Sequence, residues 1–218
     1  MRTGVDNIAQ FEVVPSPFNH AEAGEIFVPK LAAEPNDSDG HTDAVIDTLE
    51  NIVDTSVGTL VLFSSRWQME RVFEGLSASF AAVVLVQDSC SKQELLRKHR
   101  ERIDSKQGSV IFGLASFAEG VDLPGDQCCH VIIAKIPFAV PDDPVEQTLA
   151  EWVEKQGRNA FMEISVPDAA LRLVQASGRL LRRESDKGRI TILDRRLVTK
   201  FYGKRMLKSL PPYRQLIE

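Results

Sequence analysis

With 218 residues, 43% of them hydrophobic and 26% charged, the chain is long enough for one sizeable domain and has the composition of a soluble globular protein. No apolar run approaches the roughly 18 to 20 residues of a membrane span, and residues 1–24 lack the basic start, apolar centre and small-residue cleavage site of a secretory signal, so no membrane partner is expected. The formal charge of −5 argues against a free-standing nucleic-acid binder, yet it is polarised: from Arg172 to Lys208 there are 12 basic and 3 acidic residues, which leaves −14 on the remainder.

In chain order, residues 1–39 carry Pro15, Pro17, Pro29 and Pro35 and the polar run EPNDSDG. They read as a leading arm and linker packing on a domain of residues 40–218. The arm holds one strand-like run, GEIFV. A helical pattern, TDAVIDTLENIVD, precedes the strand GTLVLFS, and the helix RWQMERVFEGL follows it. Next come the strand AAVVLVQ, the helix SKQELLRKHRERI and the strands SVIFGLA and HVIIAKI. A helix around PVEQTLAEWVEKQ leads to a second one that starts at Pro167 and Asp168 and is predicted to stop at Asp186, Lys187 and Gly188. The strand RITILD and a last helix, RLVTKFYGKRMLKSL, end at Pro211 and Pro212. Strand and helix alternating, with strands apolar nearly throughout, predict an α/β fold: a doubly wound, mainly parallel sheet with helices on both faces. Ligands in such folds sit at the carboxyl ends of the strands, so the loops after GTLVLFS and SVIFGLA are the first to search.

Several chemistries are missing. There is no glycine-rich phosphate loop ending in Lys-Ser or Lys-Thr, no GxGxxG turn and no nucleophile elbow. Cys90, Cys128 and Cys129 form no CxxC pair, and His20, His41, His99 and His130 show no ligand spacing, so no metal is expected and the cysteines read as thiols of a reducing compartment.

Three segments carry polar groups beside the apolar runs. Ser64, Ser65 and Arg66 follow GTLVLFS, where a serine either caps the next helix or leaves its amides free to seat a phosphate. After SVIFGLA, the stretch SFAEGVDLPGD has carboxylates at Glu119 and Asp122 and a glycine at 120 that permits positive φ or close approach. The third is RLVQASGRLLRR: projected as a helix, Arg172, Gln175, Arg179, Arg182 and Arg183 share one face, opposite Leu173, Val174, Ser177, Leu180 and Leu181. For Arg172 and the basic set Lys200, Lys204, Arg205 and Lys208, contact with DNA, with acidic loops or with another domain all remain open. Asp194 beside Arg195 and Arg196 reads as an ion pair or helix cap.

Taken together these residues resemble a known family. QASGRLLR, with Gln175, Gly178, Arg179 and Arg182, resembles the QxxGRxxR motif VI of superfamily 2 helicases. SFAEGVDLPGD resembles motif V of the XPD/DinG branch and GTLVLFSSRWQMERV its motif IV. The stretches SPFNHAEAGEIFVPK, KIPFAVPDDP and ITILDRRLVTKFYGKRMLKSLPP are similar to the same branch, so the resemblance follows the chain nearly throughout.

The resemblance implies a RecA-like fold, the second of two motor domains that bind ATP in the cleft between them. The first would carry the phosphate loop, the Mg²⁺-binding acidic box and a four-cysteine iron–sulfur domain, none of which lies in these residues. Arg179 and Arg182 are then expected to be arginine fingers for the γ-phosphate, whose oxygens suit planar guanidinium forks. Gln175 would orient water or sense the phosphate, and Gly178 would allow close approach. Glu119, Gly120 and Asp122 would link the cleft to the bound strand, which Ser64, Ser65, Arg66 and Ser116 would grip by its phosphates without reading sequence. The implied activity is ATP-dependent 5′ to 3′ unwinding of single-stranded or forked DNA in repair or replication, by a monomeric protein of the bacterial cytoplasm associated with the nucleoid. The isolated chain is expected to be inactive as an ATPase. A RecA-like docking or phosphate-binding module without catalysis is the alternative.

Overall fold

The computed structural model of the chain describes residues 10, 12, 14, 16–139 and 144–218. Its sheet has seven strands: β1 (Gly24–Val28), β2 (Gly58–Phe63), β3 (Val84–Val86), β4 (Ser109–Leu114), β5 (His130–Ile133), β6 (Gly188–Ile192) and β7 (Arg214–Ile217). Their order is β3-β4-β2-β5-β6-β1-β7, and each neighbouring pair runs parallel. The helices are α1 (His20–Ala23), α2 (Ser38–Ile52), α3 (Arg66–Gly75), α4 (Ala78–Ala81), α5 (Lys92–Asp104), α6 (Pro144–Lys155), α7 (Val166–Ser177), α8 (Arg196–Thr199) and α9 (Phe201–Ser209).

The strand runs read as continuously apolar because both faces are covered. Leu60, Leu62, Ile111, Val131, Ile133 and Ile190 pack on one side with Leu95 of α5, Leu173 of α7 and Met206 of α9. Their alternates Val61, Phe63, Val110, Phe112 and Ile132 pack on the other with Val45 and Leu49 of α2 and Met69 and Val72 of α3. Each such fully buried side chain contributes about 1.5–3 kcal/mol relative to exposure, so both faces are fixed by the same period-two pattern. The helices on the second face start on local caps: the Asp37 carboxylate accepts from Gly40 N at 3.0 Å, and Ser65 Oγ from Gln68 N at 3.3 Å.

Three features differ from the sequence pattern. The leading segment is part of the sheet from Gly24 on, because β1 is hydrogen-bonded between β6 and β7. The last helix is two: the backbone is extended at Lys200, and Gly203 lies so close to the first piece that a Cβ would stand 2.0 Å from the Arg196 carbonyl oxygen. The chain then adds β7, whose four residues are all exposed and carry no alternation to read. In the stretch KIPFAVPDDP, residues 140–143 lie outside the described residues.

β2 has β4 on one side and β5 on the other, so the winding reverses at β2. The loops after β2 and β4 therefore meet at the topological switch point, on the carboxyl edge.

Candidate functional site

No α-helix joins β4 to β5. After Leu114 the chain makes a 3₁₀ turn, Ala115–Ala118, and descends one face of the sheet, burying Phe117, Val121 and Leu123. A second turn, Gly125–Gln127, brings it against Gly58 at the start of β2. Gly120 adopts φ +70° with nothing within 4 Å of a Cβ position, so the backbone conformation, and no close neighbour in this chain, accounts for the glycine. The upper loop is braced by Lys92, at the first position of α5. Its ammonium donates to the carbonyls of Phe117 at 2.9 Å and Glu119 at 2.7 Å and stands 4.9 Å from the Phe117 ring centre. The spacing of the motifs gave no signal for this lysine.

The arginine segment corrects the helix projection. α7 does begin with Pro167 in its first turn, and Arg172 pairs with Asp168 at 2.9 Å. It ends at Ser177, well short of Asp186. The Ser177 hydroxyl donates to the Val174 carbonyl at 2.7 Å, and Arg179 N and Leu180 N donate to carbonyls three residues back, which tightens the last turn. Gln175 is exposed on the helix, while Arg179, Arg182 and Arg183 lie on the turn beyond it. Gly178 closes the helix with ordinary right-handed torsions, and a Cβ there would meet only ordinary contacts at 3.5 Å.

These two segments run side by side down the same face, in matching order. Ser116, Glu119, Gln175 and Arg179 line a cavity of about 50 Å³ at the top. Below it the Arg179 Nη1 donates to the Val121 carbonyl at 3.0 Å, and the Arg182 Nε to the Asp122 carboxylate at 2.7 Å. At the foot, the buried Asp186 carboxylate accepts three backbone amides: Gly125 N at 3.1 Å on Oδ1, and Arg182 N and Arg183 N, each at 2.8 Å, on Oδ2. Asp186 thus fixes the backbone that carries Arg182 to the foot of the β4–β5 loop. As a sequence feature it read only as part of the helix stop at Asp186, Lys187 and Gly188.

Burial first, and then the neighbouring Arg182, pull the Arg179 guanidinium below its usual pKa. Its Nε is buried and has no hydrogen-bond partner among the described residues. A partly desolvated guanidinium beside a second arginine favours an anion with several oxygens, since charge-assisted bonds would neutralise the crowded positive charge.

The β2 loop lies apart from the arginines. Ser64 is exposed, and Ser65 caps α3, the simpler of the two readings open to it. Arg66 pairs with Asp88 at 2.5 Å with both side chains about half exposed, and that hydrogen bond raises the arginine's pKa. Asp88 lines a cavity of about 220 Å³ with Gln87, Cys90, Lys92, Phe117 and Ser116. Ser116 therefore borders both cavities and joins the β2–β3 side of the carboxyl edge to the arginine seam.

The cysteines do not suit an iron–sulfur cluster. Cys128 is sealed in the core with its thiol pushed up to about 12 by burial, burial also raises Cys129, and no group of three potential metal ligands occurs among the described residues. Among the same residues no helix is long and apolar enough to cross a membrane.

Residues 49–213 match the family model of the helicase C-terminal domain. An ATP-dependent DNA helicase DinG from Photobacterium profundum is 43% identical over 212 residues, which is 96% of this chain and 30% of that protein. The protein of the same name from Escherichia coli K12 is 38% identical over 208 residues, 94% of this chain and 29% of its own length. The chain thus spans about three tenths of the curated relatives it matches. A solved XPD helicase superposes with a TM-score of 0.66 at 24% identity, over 89% of this chain and 35% of that one, which places the sheet among RecA-like helicase folds.

Proposed function

Because the chain belongs to the helicase C-terminal domain family, in the branch that holds the DinG helicases, we propose that it is the second RecA-like motor domain of an ATP-dependent, DinG-like DNA helicase. ATP lies between this domain and a first motor domain elsewhere in the full-length protein. The observation that carries the reading is the pair Arg179 and Arg182 on the turn after α7, converging on the β4–β5 loop.

In this mechanism the two guanidiniums bind the γ-phosphate oxygens as negative charge moves toward the leaving group. Asp122, whose side chain is 68% exposed, holds Arg182 extended until the phosphate takes its place. Gln175, exposed one turn before Arg179, aligns the attacking water. Asp186 keeps the Arg182 backbone in position throughout. Mg²⁺ neutralises phosphate charge when bound, and its ligands belong to the first motor domain, as do those of the iron–sulfur cluster.

Ser116 transmits the change. The same loop that contacts the arginines borders the cavity beside Asp88, so closing the cleft shifts the Ser64, Ser65, Arg66 and Ser116 grip on the strand. Alternate closing and opening then moves single-stranded DNA in the 5′ to 3′ direction. The work is done in repair or replication, in the cytoplasm near the nucleoid, by a monomer.

The test is Arg179→Ala in the full-length helicase. DNA-stimulated ATP hydrolysis should fall by about 10³ to 10⁵ while the circular dichroism is kept and the melting temperature falls by no more than the about 2–4 °C that the lost bond to Val121 accounts for, and the 218-residue chain by itself should not hydrolyse ATP. Near-normal turnover in the variant would remove the arginine-finger role.

A further inference from the structure

The basic C-terminal set has no role in the mechanism above. From residue 195 to residue 217 there are seven Lys or Arg and no Asp or Glu. Lys200, Lys204, Arg205 and Lys208 are exposed, and none makes an ion pair with a described residue. Folding therefore leaves their charge unbalanced at short range. Beside them Phe201 is 70% exposed, with the Arg205 guanidinium 4.8 Å from its ring centre. A large aromatic held on the surface by a cation gains nothing from the core.

The sheet order fixes where this patch lies. α8 and α9 follow the carboxyl end of β6, and Tyr202 touches Phe138, which follows the carboxyl end of β5, at 5.8 Å between ring centres. Phe161, itself 42% exposed, completes the cluster at 5.3 Å from each ring. α9 then runs back toward the start of β7, so its first turn, with Lys200, Phe201 and Lys204, sits on the carboxyl edge and Lys208 farther down. Along that edge β4, β2, β5 and β6 are successive neighbours. The loops that bear Ser116, then Ser64 to Arg66, then Phe138, then Phe201 therefore form one row. Three strand spacings of about 4.8 Å, about 14 Å in all, separate the ends of β4 and β6 from which its outer loops leave.

We propose that the single strand gripped at Ser116 and Ser64 to Arg66 continues over the ends of β5 and β6 onto the first turn of α9, where Phe201 stacks on a base and Lys200, Lys204 and Arg205 hold the flanking phosphates. Exposed aromatics beside unpaired cations are how sequence-tolerant single-strand sites are built: the ring takes any base, and the cations follow the backbone. Polyanionic nucleic acid matches a patch with four exposed cations, none paired to a carboxylate of the described residues, better than an apolar protein face does. This extends the proposed strand grip and rests on it.

The experiment measures binding of fluorescent oligo(dT) to the 218-residue chain across a salt series. Phe201→Ala should weaken binding about tenfold. Lys200→Ala with Lys204→Ala should reduce the slope of log K against log salt by about 0.7 per lost phosphate contact, about 1.4 for the pair. All three residues are exposed, so melting temperatures should match the parent. If Ser116→Ala and Arg66→Ala weaken binding while the α9 variants leave affinity and slope unchanged, the extension is wrong and the proposed grip stands. If the chain binds no oligo(dT) even at low salt, both the extension and the grip fail.

Discussion

Asp186→Asn is the perturbation that most directly measures how the arginine turn is fastened. The carboxylate is 4% exposed and accepts Gly125 N, Arg182 N and Arg183 N. Asparagine has nearly the same shape but one acceptor oxygen and no charge. With that oxygen in the place of Oδ2, the Arg182 and Arg183 amides keep a neutral partner and lose about 1 kcal/mol each, the difference between charge-assisted and neutral hydrogen bonds. The amide NH₂ then faces the Gly125 N–H, which loses its acceptor at a cost of about 1 kcal/mol or more. The sum is about 3 kcal/mol. For a domain of this size each kcal/mol moves the midpoint by about 2–4 °C, so a fall of about 10 °C is expected. Thermal unfolding followed by far-ultraviolet circular dichroism reads it. In the full-length helicase the same variant should lower kcat for ATP, because Arg182 loses its fixed backbone. A melting point within about 2 °C of the parent would refute the claim that Asp186 fastens this turn.

Two further outcomes follow from buried groups. His130 is 7% exposed, donates to or accepts from Thr191 Oγ1 at 2.8 Å, and is pushed down to about 4 by burial and then by the charge of Arg189; burial likewise lowers His41 and His99. Below pH 6.5 the unfolded chain takes up these protons before the folded one, so stability is level above pH 6.5 and declines as the pH falls toward 4, by up to about 3 kcal/mol from His130 alone. Urea midpoints at pH 7.5 and 5 measure this, and His130→Gln should flatten the dependence; an unchanged slope would remove His130 as its source. Cys128, sealed and raised to about 12, should resist a thiol reagent until the chain unfolds, whereas Cys90 and Cys129 are partly exposed and should label in the folded state. Mass spectrometry of peptides after brief labelling distinguishes them, and early modification of Cys128 would contradict the packing.

The strands were readable because β2, β4 and β5 bury both faces, which forces near-continuous Val, Ile, Leu and Phe. Residues 214–217 were not, since an edge strand held by backbone pairing to β1 and by the Arg214–Glu25 ion pair needs no apolar pattern. The spacing in QASGRLLR suggested one continuous helix because Leu180 and Leu181 keep the helical period into the turn. Ser177 and Gly178 end the helix locally and Asp186 binds the Arg182 and Arg183 amides, but what ties that turn to the β4–β5 loop is Gly125, 61 residues from Asp186. Lys92 went unread for a similar reason: its partners are carbonyls 25 and 27 residues away, and a carbonyl leaves no mark on side-chain identity.

The order of residues by itself indicated the fold class, through near-continuously apolar strands alternating with helices as a doubly covered parallel sheet requires, and it named the polar groups worth following. It could not say how those groups meet. The register of the Ser116 to Gly125 loop against the Gln175 to Asp186 segment, the capture of Arg182 by Asp122, and the row of loops along the carboxyl edge depend on strand order and on hydrogen bonds between distant segments. Such bonds form only after β4 and β6 have taken their places on opposite sides of the β2–β5 pair, so their geometry belongs to the assembled sheet.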